Sequence, residues 1–157
     1  MPFDEKIVLS PIGHVKTSAV GDEVKDKSLI SHIVLNREFV EGLDGISEFS
    51  HLFVLFYLDQ VTAEQRKTLK VHPRGRADLP LKGVFTVRTM LRPNPIGLTL
   101  VELLNVDGNV LTVRGLDAYD GTPVLDVKTY DFWDMAENVK VPEWWKKLHE
   151  EKQQKLK

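Results

Sequence analysis

Short apolar runs alternate with polar breaks rich in proline, glycine, asparagine and aspartate along most of this chain, a pattern that predicts many short strands. Residues 7–15 and 29–35 are rich in β-branched side chains, and Leu29, Ile33 and Leu35 fall on one face of the second run. Residues 51–58 are almost uninterruptedly apolar and read as a buried central strand. Further strands are predicted over 84–89, 98–106, 110–116 and 124–130. Asp107-Gly108-Asn109 separates two of them and is a strong hairpin signal. Helical patterning is secondary. Thr62, with Gln65 three positions on, can start a short helix through Lys70 by a capping box. Pro142 followed by Trp144, Trp145 and Leu148 predicts a C-terminal helix over 142–155. Adjacent tryptophans cannot face the same way, so that patch reaches toward a partner subunit as well as the core. The pattern as a whole predicts a mainly β, single-domain β-barrel over residues 1–157, with its core at about 7–130, a few short helices and the C-terminal helix.

Composition narrows the class. A chain of 157 residues can bury one real core, and 42% hydrophobic with 28% charged residues fits neither disorder nor a membrane protein. The longest apolar run, 52–58, is too short to cross a bilayer, and the first residues lack the pattern of a signal peptide. The absence of cysteine excludes disulfides, thiolate nucleophiles and thiolate zinc sites. A cytoplasmic protein without membrane contact is the expectation. The net charge of −2 conceals a basic block: residues 66–92 carry Arg66, Lys67, Lys70, Arg74, Arg76, Lys82, Arg88 and Arg92 against the single acid Asp78. Such a block attracts phosphates, or is simply a solvated loop. Its centre, residues 71–80, reads as an exposed loop with outward-pointing basic side chains.

Candidate chemistry concentrates at two turns. In Arg92-Pro93-Asn94-Pro95-Ile96-Gly97-Leu98 the prolines fix φ on both sides of Asn94 and remove two backbone donors, so Asn94 sits on a stiff turn. Leu116 to Asp126 contains a second turn, Asp120-Gly121-Thr122-Pro123, with Asp117, Asp120 and Asp126 around it. Asp117 and Asp120 can serve acid–base work or merely orient turn amides. Arg88 and Arg92 flank the first turn, and Asp126 is a possible bidentate partner for one of them. The chain has no Gly-x-Gly pair, no nucleophile elbow, and no histidine spacing suited to a metal. His51 stands out because it opens the apolar central strand.

At these residues the sequence resembles the TrmO (TsaA-like) family. The family's Arg-Pro-Asn-Pro-Ile-Gly core is matched by Arg92 to Gly97, and its Leu-Asp-x-x-Asp-Gly-Thr-Pro-Val-x-Asp core by Leu116 to Asp126. Gly45 to His51 resembles its Gly-Leu-x-x-Phe-Ser-His segment, and Gly83 to Arg88 its Gly-Val-Phe-x-x-Arg element. The Pro-Arg-Gln-like segment of many relatives has no counterpart in 17–27, and the extra C-terminal domain of longer relatives is not matched. The resemblance implies a homodimeric β-barrel methyltransferase that uses S-adenosylmethionine to methylate N6 of threonylcarbamoyladenosine at position 37 of tRNA, in the anticodon loop. It implies cofactor contacts at Asp59, Gln60, Arg88, Leu98 and the turn Asp117, Ala118, Tyr119, Asp120, with no metal. Catalytic positions are expected at Asn94, Asp120 and His51, the last two as acceptors of the N6 proton. Arg92, Arg74, Arg76, Lys82 and Lys128 are expected to meet tRNA. The alternative is a non-catalytic small-molecule- or tRNA-binding module on the same scaffold.

Overall fold

A computed structural model of the chain describes residues 5–157. Six antiparallel strands, β1 (Gly13–Lys16), β2 (Ile30–Leu35), β3 (His51–Tyr57), β6 (Ile96–Asp107), β7 (Val110–Arg114) and β8 (Pro123–Thr129), form the main sheet. They close a barrel in the order β1-β2-β7-β6-β3-β8. A separate two-stranded ribbon joins β4 (Lys70–Val71) to β5 (Lys82–Gly83), and an α-helix, α1 (Glu143–Lys155), follows the barrel. Among the described residues, seven single-turn or slightly longer 3₁₀ segments punctuate the connections. Among the described residues no helix is long and apolar enough to cross a membrane.

Alternation fills the barrel. Val15, Ile33, Leu35, Leu52, Val54, Phe56, Val101, Leu111, Val113 and Val124 point inward and are buried. Each such side chain contributes about 1.5–3 kcal/mol through removal from water. β3 forms as expected and pairs along both edges, with β6 and β8, as every strand of a closed barrel does, but only its alternate residues are buried. The β6–β7 hairpin turns through Gly108, whose φ of 57° suits a glycine, and Gly115, φ 91°, follows the last residue of β7. Gly97 is required for space rather than conformation: a Cβ there would lie 2.2 Å from the Phe56 ring.

Several expectations are corrected. Residues 7–12 lie outside the sheet, with Ile7, Val8 and Leu9 exposed, because Pro11 breaks the approach to β1. The strand expected over 84–89 is a 3₁₀ turn, Val84–Thr86, closed by the Thr86 hydroxyl donating to the Gly83 carbonyl at 2.8 Å, and then a loop. Between 62 and 70 only the turn Gln65–Lys67 forms. Its predicted capping box is nonetheless present: Thr62 N donates to Gln65 Oε1 at 2.9 Å, and Gln65 N to Thr62 Oγ1 at 3.2 Å. Lys70 then enters β4, so tertiary pairing ends the helix that local sequence begins.

The loop over 71–80 is anchored rather than free. Pro73 and Leu79 are buried, and His72 Nδ1 lies 2.7 Å from the Leu79 carbonyl. Arg76 pairs with Asp78 and reaches α1 through Glu151, while Leu148 supplies the helix's buried apolar contact.

Candidate functional site

The two stiff turns meet in one cavity of about 1030 Å³ at the end of β3 and the start of β6. Four regions of the chain wall it: residues around 24–27, residues between 56 and 61, the run from Phe85 through Asn94 into β6, and Asp117, Ala118, Tyr119 and Thr122 of the second turn.

The proline turn is held from three sides. Arg66 Nε donates to the Pro93 carbonyl at 2.7 Å, Ile96 N to the Asn94 carbonyl at 2.7 Å, and Leu58 N to the Pro95 carbonyl at 2.8 Å. Pro95 is buried, whereas Asn94 is exposed on the cavity wall. Arg92 Nη1 donates to the carbonyls of Val87 and Thr89, at 3.2 and 3.1 Å, and so shapes the facing loop. On the opposite wall Asp117 accepts the hydroxyl hydrogen of Thr99, and its Oδ2 lies 3.9 Å from Lys27 Nζ. Lys27 also donates to the Gly115 carbonyl at 3.4 Å.

Lys25, Lys27, Arg88 and Arg92 set four positive charges around the cavity against Asp59 and Asp117. Lys25 donates to Asp22 at 2.8 Å, and this hydrogen bond raises the Lys25 pKa above its ordinary value. Phe56, Leu58, Leu98, Leu100 and Ala118 supply apolar surface. Charges of both signs around an apolar floor suit a ligand that is itself zwitterionic and partly flat.

Nine of the residues expected from sequence line this cavity: Asp59, Gln60, Arg88, Arg92, Asn94, Leu98, Asp117, Ala118 and Tyr119. Asp120 does not. Its Oδ1 accepts from Thr17 N at 3.0 Å and it faces a second, smaller cavity, because the turn into Gly121 (φ 81°) carries it round to the other side. His51 opens the seven-residue β3 at the end remote from Asp59, roughly 20 Å away by strand length. There its Nδ1 lies 2.7 Å from Ser50 Oγ and its ring meets Tyr130 edge-on.

The basic candidates divide. Arg74 is exposed at φ 53° and Lys82 is half-buried in β5. Arg76 does not point outward as the sequence suggests, being committed to Asp78 and Glu151. Lys128 pairs with Asp126 at 2.9 Å, which leaves Asp126 a partner of Lys128 rather than of Arg88 or Arg92. Sequence reasoning missed Lys27 and Thr99, and it placed Arg66 in the phosphate-attracting block rather than against the Pro93 carbonyl. Thr99 had a signal, as a buried hydroxyl set among Leu98, Leu100 and Val101 in the first half of β6.

The profile of the tRNA-methyltransferase O N-terminal domain matches residues 20–133. A probable S-adenosyl-L-methionine-binding protein of Methanothermobacter thermautotrophicus is 42% identical over 132 residues, 81% of this chain and 92% of that protein. The tRNA (adenine(37)-N6)-methyltransferase of Escherichia coli is 39% identical over 133 residues, 82% of this chain but 53% of the enzyme. The crystal structure of TrmO from Pseudomonas aeruginosa matches with a TM-score of 0.69 at 28% identity, covering 87% of this chain and 61% of that one. The chain thus spans most of the archaeal relative's length and less than two thirds of the two bacterial proteins.

Proposed function

The chain belongs to the tRNA-methyltransferase O family, and from that membership we propose that it methylates N6 of threonylcarbamoyladenosine at position 37 of tRNA, using S-adenosylmethionine. The observation that carries this reading is the convergence of the family's two motif turns, Arg88 and Asp59-Gln60 on one cavity.

The donor set fits the cofactor. When bound, S-adenosylmethionine supplies a methyl group on a positively charged sulfur, which leaves as a neutral thioether. Asp59 and Asp117 provide the negative potential that such a cation needs, and Arg88 is the counterpart of its carboxylate. Leu98 and Ala118 offer flat apolar surface to the adenine ring, with turn amides and carbonyls for its edge. Alignment in a cavity that excludes bulk water can lower the barrier by about 7–11 kcal/mol, so positioning does most of the catalysis.

Asp117 takes the N6 proton in this reading, in place of Asp120 and His51. Its support is its position on the cavity wall and its restraint by Thr99 and Lys27. Asn94 orients the modified base, Arg92 shapes the loop beside it, and Arg74 and Lys82 meet the phosphates of the anticodon stem. The protein works as a homodimer in the cytoplasm, with the barrel and α1 as one domain.

A second reading, a binding module without catalysis, is favoured by the name of the archaeal relative, which records S-adenosylmethionine binding alone. Mass spectrometry of tRNA nucleosides separates the two after incubation with cofactor and threonylcarbamoylated tRNA. One added methyl on that nucleoside supports the enzyme. Cofactor binding with no methyl gained supports the module.

A further inference from the structure

The turn at 117–121 has two faces, and only one looks into the large cavity. Asp120 and Gly121 look into the second cavity, of about 570 Å³, with His14, Lys16, Thr17, Ser18, Ile30 and His32. β1 sends Gly13 and Val15 inward, so His14 and Lys16 share its outer face. Lys16 stands directly opposite His32 on β2 in the antiparallel register, which brings an ammonium and two imidazoles onto one patch.

The hydrogen bonds around this patch use only part of its donor capacity. Thr112 on β7 pairs across from His32, with its Oγ1 3.1 Å from His32 Nδ1. If Thr112 donates there, Nε2 carries the imidazole hydrogen and faces the cavity. Thr17 Oγ1 accepts from Ala19 N at 3.2 Å, which leaves the Thr17 hydroxyl hydrogen to be given. The one carboxylate among the lining residues, Asp120, is tied by Oδ1 to Thr17 N at 3.0 Å.

We propose that this patch is a phosphate subsite for the RNA chain, holding a backbone phosphate beside the nucleotide whose base occupies the large cavity. The inference rests on the tRNA reading above. Tyr119 lines the large cavity and the next residue, Asp120, lines the small one. A base and a phosphate of neighbouring nucleotides can therefore straddle a single turn. Contacts of this kind set register and orientation rather than sequence preference. With one ammonium facing one carboxylate the patch is a weak, salt-sensitive contact, so free phosphate alone does not fill it.

The test titrates the full chain with an unmodified anticodon stem–loop RNA and, separately, with millimolar inorganic phosphate, following the imidazole NMR signals. RNA is expected to move His14 and His32 while His51 and His149 stay still, and phosphate to move none of them. Lys16→Ala is expected to weaken RNA binding several-fold and to flatten the slope of log affinity against log salt by about one. Still imidazoles with RNA, or an unchanged slope in Lys16→Ala, overturn the subsite, and an equal response to inorganic phosphate reassigns the patch away from RNA. Nucleoside methylation measured in parallel separates this claim from the parent reading. Methylation with still imidazoles removes only the subsite, and moving imidazoles without methylation remove only the enzyme.

Discussion

Thr99 on β6 donates its hydroxyl hydrogen to Asp117, a residue eighteen positions further along the chain, and so joins the two motif turns through one hydrogen bond. The first turn leads directly into β6, and the second follows β7, its hairpin partner. A single buried hydroxyl thus fixes the direction of the only carboxylate contributed to the cavity by the second turn.

Thr99→Val keeps the shape of the side chain and removes that donor. Hydrogen bonds to charged groups are worth about 1.5–3 kcal/mol, so S-adenosylmethionine affinity or turnover is expected to fall roughly tenfold or more. Calorimetry and nucleoside methylation measure the two effects separately. Wild-type values in both would show that Asp117 needs no orientation from Thr99.

Gly97→Ala tests the packing beneath the same site. The added Cβ would meet Phe56, itself buried in the barrel, at 2.2 Å. Overpacking of this kind costs about 1–3 kcal/mol, read as a lower urea midpoint with unchanged m-value. An unshifted midpoint would mean that the Phe56 ring moves aside freely.

Ser31→Ala should behave in the opposite way. The Ser31 hydroxyl is buried in the barrel and has no hydrogen-bond partner among the described residues. Removing an unsatisfied hydroxyl is expected to leave stability unchanged or to raise it by up to about 1 kcal/mol. A loss of more than that amount in urea unfolding would reveal a partner for the hydroxyl.

Acid should loosen the anchored loop through Asp78. The hydrogen bond from Arg76 holds the Asp78 carboxyl below the usual carboxylate range. A lowered folded-state pKa stabilises the fold fully above the unfolded value of about 3.9, and this is lost as pH falls through the folded value. Between pH 4.5 and 2 the wild-type urea midpoint should therefore drop more steeply than that of Asp78→Asn. Parallel curves would remove the pair from the acid response.

Much of this architecture was legible because local pattern and tertiary pairing agree. The β6–β7 hairpin, β3 and α1 each follow from alternation, Gly108 or Pro142. The errors fall where pairing overrides pattern. The apolar run from Val84 becomes a 3₁₀ turn, and the helix begun by Thr62 ends where Lys70 pairs with Gly83. The cavity's membership was readable from motifs, yet which way a turn residue faces was not. Asp117 and Asp120 are three positions apart and have the same chemistry, but only the fold sends one to each cavity. Arg76 was misread for a related reason: its partner Glu151 lies 75 positions away, beyond the reach of any local pattern.

Backbone amide NMR during titration with S-adenosylmethionine tests most directly whether the large cavity is the cofactor site. The amides of Asp59, Leu98, Ala118 and Tyr119 should shift together and saturate at one affinity, with His51 and Lys128 unmoved. Saturable shifts clustered around His51 or Lys128, with the amides of 117–119 still, would contradict the account.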